Sequence, residues 1–357
     1  MVSVLGRSNV PLLVATTALL ALMSGVEVGA QQTPRFRERV NVGRIIIDAR
    51  VIDDRGNPVL GLTADNFKVR IDGQAARVET ATWIGERGAE IDPSSLASMS
   101  PAEDGLHDEG RPRGRLVVFL FQKDLEPSRI VGLMRMLFKS RHFLDTLAAS
   151  DRVAILSFDS HLKIWSDFTN DRERLDRLLA HGLLFERPAV VQASSTPSLV
   201  ERLDPERGRR TFGIERALEL IGEALEPLPG SKSLVLVGYG FGRLGLGGMR
   251  MENDYEPARR ALVAARTSVF SLDVTNADYH SLEAGLQLVS EETGGFYART
   301  HVFPDQAMRR LSGALAGYYV LFVEQPDSLR TTHDIKVALT RHKGRVLASN
   351  SYSERHE

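Results

Sequence analysis

The stretch RLVVFLFQKDLEPS, from Arg115 to Ser128, holds the side chains whose types and spacing are best suited to binding a ligand. Its apolar run, Leu116 to Phe121, has the length of a strand, which predicts a strand buried on both faces. A helical pattern follows from Ser128 to Leu147. In open α/β sheets, ligands bind at the carboxyl ends of such strands. The ligand-binding edge predicted here consists of Gln122, Lys123, Asp124, Leu125 and Glu126.

Other patterns that could do chemistry lack the context that each chemistry needs. The sequence Gly240–Gly245 fits G-x-G-x-x-G, but no helix opens at its last glycine, as a nucleotide site requires. The segment Gly230–Ser233 resembles the end of a phosphate loop but precedes its strand instead of following it. The nine histidines form no H-E-x-x-H pair, and no G-x-S-x-G elbow occurs. The sequence therefore predicts a protein that is not an enzyme, with catalysis as the third alternative.

Composition excludes several further classes of protein. The 357 residues suffice for two domains, and the formal net charge of −1 provides no general attraction to nucleic acid. A basic cluster at residues 207–210 is offset by the acids of residues 201–206, so no nucleic-acid surface is predicted. The chain has no cysteine, which removes disulfides, thiolate nucleophiles and cysteine-bound zinc.

The first thirty residues have the pattern of a secretory signal peptide. Arg7 precedes an apolar run from Val10 to Met23, and Val28-Gly29-Ala30 forms a small-x-small end. The alternative is an uncleaved membrane anchor, but the run is shorter than the ~20 residues that a spanning helix needs. We therefore expect cleavage after Ala30, no membrane span in the mature chain, and a secreted or periplasmic protein.

Three kinds of pattern divide the mature chain. Residues 36–85 and 318–355 alternate apolar and polar side chains, as half-buried strands do. Each segment is too small for a stable sheet of its own, so we expect them to complete one β-sandwich-like (Ig-like) module. Residues 86–114, rich in Pro, Gly and acids, predict a flexible linker. Residues 115–317 alternate strand and helix patterns, which favours an α/β, mostly parallel sheet with helices on both faces.

Several quoted segments resemble one family in the right order along the chain. They are VIDDRGNPVLGLTADNFKVRIDGQAARV, LAASDRVAILSF, DFTNDRERL, SEETGGFYART and SGALAGYYVLFVE. They are similar to the bacterial von Willebrand factor type A-related family first recognised in acidobacteria, over roughly residues 40–350. The resemblance implies a Rossmann-like type A domain at residues 115–317.

The resemblance also implies where a metal-ion-dependent adhesion site would lie, and shows that it is degenerate. The family's D-x-S-x-S begins directly after the first strand, where this chain has Gln122. Thr211 matches the threonine of the second loop, and Tyr239 stands where the third loop has an aspartate. We therefore expect no bound metal or other cofactor, and expect Gln122, Thr211 and Tyr239 to hydrogen-bond one another or water. The alternative is a shifted Mg²⁺ or Mn²⁺ site, whose ligands would be Asp124, Glu126, Ser128 and Thr211.

These observations favour an exported, non-catalytic interaction protein. It would bind a protein or a cell-envelope ligand through the loop edge of its type A-like domain. The first alternative is a divalent-cation-dependent adhesin. Composition further predicts that the loop from Glu186 to Arg210, rich in Ser, Pro and charge, is mobile.

Overall fold

The structure is a computed structural model that describes residues 43–85, 114–195, 197–245, 248–325 and 332–353. The predicted signal peptide at residues 1–30 lies outside the described residues. So does all of the predicted linker except Gly114. In the described residues, no helix combines the length and the apolar character needed to cross a membrane.

The described residues form sixteen strands and seven helices. The strands are β1 Arg44–Ile52, β2 Phe67–Ile71, β3 Gln74–Ala76, β4 Val78–Gly85, β5 Leu116–Gln122, β6 Arg152–Phe158, β7 Leu162–Thr169, β8 Lys232–Gly238, β9 Arg243–Gly245, β10 Gly248–Arg250, β11 Thr267–Asp273, β12 Tyr297–Arg299, β13 Gly317–Glu324, β14 Thr332–Leu339, β15 Arg345–Ala348 and β16 Ser351–Ser353. The helices are α1 Pro127–Leu144, α2 Arg172–Arg177, α3 Pro205–Arg209, α4 Ile214–Leu225, α5 Tyr255–Ala264, α6 Glu283–Glu292 and α7 Pro304–Leu315. Helix α2 continues through a π-helical segment, Leu178–Gly182, and a last turn, Leu183–Phe185.

A six-stranded sheet with the order β12-β11-β8-β5-β6-β7 forms the centre of the α/β part. Five of its strands are parallel, and β7 runs antiparallel at one edge. All seven residues of β5 are buried, which confirms the strand predicted from its apolar run. Its alternate side chains enter two apolar cores, so both faces of the sheet are covered. The fold is therefore a mixed α/β fold with a parallel-rich central sheet.

Each face of the sheet is covered by its own group of helices. Apolar side chains of α1 and α7 pack in the core that contains Phe119, whereas those of α4, α5 and α6 pack in the core that contains Leu120. Helices α4 and α5 approach closely at Gly222, where an added Cβ would lie 2.7 Å from the Ala261 carbonyl carbon. This arrangement brings the amino ends of the helices and the carboxyl ends of the parallel strands to one edge.

Strands from the two ends of the described chain pair with each other. Strand β1 lies antiparallel between β13 and β15, and β14 lies antiparallel to β2. The result is two four-stranded sheets, with the orders β15-β1-β13-β4 and β16-β14-β2-β3. Both sheets contribute to one apolar core, in which Tyr319 is buried and its hydroxyl donates to the Val59 carbonyl at 2.9 Å. The N- and C-terminal strands therefore depend on each other.

The loop from Glu186 to Arg210 has an anchor that its composition does not reveal. The carboxylate of Asp167, in β7, accepts hydrogen bonds from the backbone amides of Ser194 at 2.9 Å and Leu199 at 2.7 Å. Burial by itself would raise the pKa of Asp167, but these bonds and one from Ser198 outweigh it and lower that pKa. Helix α3 then forms within the predicted loop, and Leu199 is fully buried. We therefore restrict the prediction of mobility to residues 186–193.

Candidate functional site

Gln122 closes the end of β5 with its side-chain amide. Its Oε1 accepts from the backbone amides of Tyr239 at 3.1 Å and Gly240 at 3.2 Å, and its Nε2 donates to the Gly240 carbonyl at 2.9 Å. The residue is 3% exposed. Gly238 is needed here, because an added Cβ would lie 2.5 Å from Oε1 of Gln122. A neutral amide thus fixes the loop after β8, where the family resemblance would place a metal-binding carboxylate.

The guanidinium of Arg129, at the start of α1, contacts both carboxylates of the loop between β5 and α1. It pairs with Asp124, and its Nε lies 3.2 Å from Oε2 of Glu126. The remaining contacts are local, since Ser128 Oγ donates to Oε1 of Glu126 at 2.7 Å and the Glu126 amide donates to Oδ1 of Asp124 at 3.0 Å. The side chains that a shifted metal site would use at Asp124, Glu126 and Ser128 are therefore engaged in this local network and with Arg129.

Arg129 also connects this loop to the loop after β8. Its guanidinium carbon lies 4.1 Å from the centre of the Tyr239 ring, within the range of a cation–π contact. Burial raises the pKa of the Tyr239 phenol, and the nearby Asp124 raises it further, so the phenol is neutral at neutral pH. Burial would also raise the pKa of Asp124, but the Glu126 amide and Arg129 outweigh it and lower that pKa. Asp124 is therefore ionised and paired.

Thr211 does not join this cluster, so the expectation that it hydrogen-bonds with Gln122 and Tyr239 is wrong. It is buried, and its hydroxyl donates to the Arg207 carbonyl at 2.7 Å. The reason is α3, which ends at Arg209: the Arg207 carbonyl lies in its last turn, where it accepts both from the Arg210 amide at 3.2 Å and from the Thr211 hydroxyl. Sequence analysis missed this helix because it is short and lies in a segment with the composition of a loop.

Large apolar side chains are exposed on the connections at this edge. Leu125, between β5 and α1, is 83% exposed, and Phe212, just before α4, is also 83% exposed. Leu244, after β8, is 65% exposed, and Tyr279, between β11 and α6, is 78% exposed. Four separate connections at this edge therefore each expose one large apolar side chain.

A second polar cluster, which sequence analysis missed, lies at the end of β11. The buried carboxylate of Asp273 has its Oδ2 2.7 Å from Nε2 of His280 and 2.8 Å from the Tyr297 hydroxyl. The same hydroxyl lies 3.0 Å from Oε2 of Glu283, which also accepts from Arg299 at 2.9 Å. The sequence contained one signal for this cluster, the placement of Asp273 directly after an apolar strand run in SVFSLD. The partners could not be identified because they come from three different elements.

Comparisons with known proteins provide only a general likeness. No protein-family model and no curated relative matches this chain. Similar solved structures include BatB from Bacteroides thetaiotaomicron, with 16% identity, 57% of this chain and 97% of that one covered, and a TM-score of 0.37. Another is a von Willebrand factor type A protein from Catenulispora acidiphila, with 8% identity, 87% and 75% coverage and a TM-score of 0.42. A third is the vWF domain of the type V pili tip protein Mfa5 from Porphyromonas gingivalis, with 10% identity, 55% and 93% coverage and a TM-score of 0.35.

The structural neighbours thus include von Willebrand factor type A domains. All the TM-scores above are below 0.5 and the identities do not exceed 16%. The fold assignment for this chain therefore rests on its own strand order and helix placement.

Proposed function

We propose that this chain is an exported, non-catalytic interaction protein that binds a protein or cell-envelope ligand at the carboxyl edge of its type A-like domain. The observation that carries this proposal is the set of exposed apolar side chains at that edge. Leu125 and Phe212 present the largest exposed fractions there. Neighbouring ion pairs, such as Arg243 with Glu252 at 2.8 Å, supply the polar surroundings typical of a protein-binding surface.

The proposal includes the organisation of the chain. Residues 1–30 are removed as a signal peptide, and the mature protein is secreted or periplasmic. Residues 36–85 and 318–355 form one β-sandwich-like module, which the shared strand pairing supports. Residues 86–114 link that module to the type A-like domain at residues 115–317.

The ligand-binding edge around Gln122 works without a divalent cation in this proposal. A hard cation derives its affinity from anionic oxygen ligands. Here Gln122 offers a neutral amide that is already bonded to the β8 loop, and the carboxylates of Asp124 and Glu126 face Arg129. The guanidinium supplies the positive charge that a metal would otherwise bring.

An affinity capture with matched variants tests the binding surface. The mature chain is used to capture ligands from its own cell-envelope extract, which are identified by mass spectrometry. We expect Leu125→Gln combined with Phe212→Gln to lose the captured ligand. The control, Met134→Gln combined with Phe138→Gln, changes two half-exposed apolar residues of α1 and should retain it. Equal capture by both double variants would place the binding surface elsewhere.

Melting temperature tests the proposed independence from a cation. We expect the wild-type chain to melt at the same temperature in millimolar Mg²⁺ and in EDTA, since a ligand that binds only the native state raises stability. The variant Arg129→Gln frees Asp124 and Glu126 and should gain a Mg²⁺-dependent rise. The control Arg141→Gln, which removes the partner of Asp176, should not. A saturable rise in the wild type that Asp124→Ala abolishes would favour the cation-dependent adhesin.

A further inference from the structure

The cluster at the end of β11 contains a donor set typical of transition-metal sites. One carboxylate oxygen each from Asp273 and Glu283 and a ring nitrogen of His280 all lie within 4.8 Å of one another. The cluster lies at the same edge of the sheet as Gln122 but one strand away from it, because β8 lies between β5 and β11. None of its residues belongs to the family-like positions discussed above.

The position of the Asp273 carboxylate is fixed before any ion binds. Its Oδ1 accepts from the Thr275 amide at 2.9 Å, and its own backbone carbonyl accepts from the Thr300 hydroxyl at 2.6 Å. Its Oδ2 is therefore held towards His280, with 2.7 Å between the oxygen and Nε2. Ligand atoms that bind one zinc ion at ~2.0–2.2 Å lie roughly 3 Å or more from each other, so small side-chain movements would admit an ion.

The Tyr297 hydroxyl lies between the two carboxylates of the cluster. The Tyr297 hydroxyl lies 2.8 Å from Oδ2 of Asp273 and 3.0 Å from Oε2 of Glu283, but it has a single proton to donate. In addition, the Thr275 hydroxyl is buried and has no hydrogen-bond partner among the described residues. The backbone amide of the same residue donates to Oδ1 of Asp273, and a water bound to an ion at the cluster is one group that would satisfy the hydroxyl.

Charge favours a cation at the same place. With a neutral imidazole, two carboxylates and the guanidinium of Arg299 leave one uncompensated negative charge. Arg299 holds both oxygens of Glu283, since its Nη2 donates to Oε1 at 2.9 Å and its Nε donates to Oε2 at 3.0 Å, and Oε1 keeps a second lone pair that an ion can use. An imidazole nitrogen among the donors selects zinc-like transition metals over Mg²⁺, which prefers oxygen ligands.

We propose that Asp273, His280 and Glu283 bind one divalent transition-metal ion of the zinc class. The ion replaces the hydrogen bond between Nε2 of His280 and Oδ2 of Asp273: the neutral imidazole then carries its single proton on Nδ1, and Nε2 binds the ion through its lone pair. Tyr297 and Arg299 do not bind the ion; their hydrogen bonds to the carboxylates orient Asp273 and Glu283. Because EDTA would also remove an ion from this site, the Mg²⁺ experiment described above uses chain already freed of metal, and Mg²⁺ itself is a poor match for this donor set.

Zinc titration of the full chain, freed of metal with EDTA and dialysed, tests the site. We expect isothermal titration to show one saturable Zn²⁺ site per chain, and Co²⁺ at the same site to give the visible absorption of a nitrogen- and oxygen-bound ion. His280→Gln and Asp273→Asn should weaken binding by more than about tenfold. Because ligands must lose protons to bind, affinity should fall as the pH is lowered.

The matched control is a second histidine–aspartate pair on the same chain. His301 has its Nε2 3.3 Å from Oδ1 of Asp278, and His301→Gln should leave Zn²⁺ affinity unchanged. His280 is partly exposed, so His280→Gln serves as the main variant, with its fold checked by circular dichroism. No saturable binding, or equal affinity in wild type and His280→Gln, would overturn the proposal and leave a hydrogen-bond network only.

Discussion

The clusters around Gln122 and Asp273 lie at the ends of two strands separated only by β8, and both place a guanidinium over a tyrosine ring. Arg129 lies 4.1 Å from the centre of the Tyr239 ring, and Arg299 lies 4.5 Å from that of Tyr279. In the first cluster the strand ends in an amide and the acids stand on the following loop. In the second cluster the strand itself ends in an acid.

This difference decides which hydrogen-bond and charge partners the carboxylates of each cluster require. The side chains of Asp124 and Glu126 are 29% and 50% exposed, so water and one arginine suffice to keep them charged. The Asp273 side chain is 2% exposed and depends on donors within the protein. A buried carboxylate without compensation is costly, whereas an exposed one costs little. The same kinds of residue therefore build a closed surface loop in one place and an ion-binding cluster in the other.

The largest expected effect comes from removing the acid of the second cluster. Asp273→Ala leaves the Thr275 amide and Nε2 of His280 without their acceptor, and should lower the free energy of unfolding by roughly 2–4 kcal/mol. Asp124→Ala removes an exposed ion pair and should cost less than ~1 kcal/mol. Urea denaturation, followed by circular dichroism, measures both. Equal losses would contradict the contrast between a buried and an exposed acid.

A smaller effect is expected from Gln122, which only the first cluster contains. Gln122→Ala removes one donor and one acceptor that serve the β8 loop, and should cost about 1–3 kcal/mol. Gln122→Glu keeps the acceptor but loses the donor to the Gly240 carbonyl, so it should also destabilise. Hydrogen exchange provides the specific signal, because the amides of Tyr239 and Gly240 should exchange faster. Unchanged exchange at both amides would show that Gln122 does not hold the loop.

The smallest effect concerns acid pH and Asp124. Its pKa is lowered in the folded chain, so its contribution to stability is fully present above the ordinary pKa of an aspartate. That contribution is lost as the pH falls through the lowered pKa. We therefore expect wild type and Asp124→Asn to differ in melting temperature at pH 6 and to converge as the pH falls towards roughly 2. A difference in melting temperature that persists at the lowest pH would show that Asp124 acts through packing and not through its charge.

Local patterns identified the strand at the centre and the residues that end it. The apolar run of β5 predicts burial on both faces, and parallel strands must present their carboxyl ends at one edge, so Gln122 and Tyr239 had to lie close together. Local patterns did not identify Arg129, although it lies three residues after Glu126, because a guanidinium on a helix surface has many possible partners. The prediction for Thr211 was wrong for a related reason, because its hydroxyl donates to a carbonyl of a helix that is too short to be predicted.

The sequence by itself determined the alternation of the long strands and helices in residues 115–317 and the absence of a carboxylate at Gln122, because hydrophobic periodicity and residue identity are local properties. Tertiary structure alone decided which charges meet. Asp167 anchors Ser194 and Leu199 across a long loop, and Asp273 meets His280 and Tyr297 from different elements. Such contacts depend on how the helices pack against the sheet. The free energy of a charged side chain depends on its burial, hydrogen bonds and nearby charges in the folded chain, more than on its neighbours in the sequence.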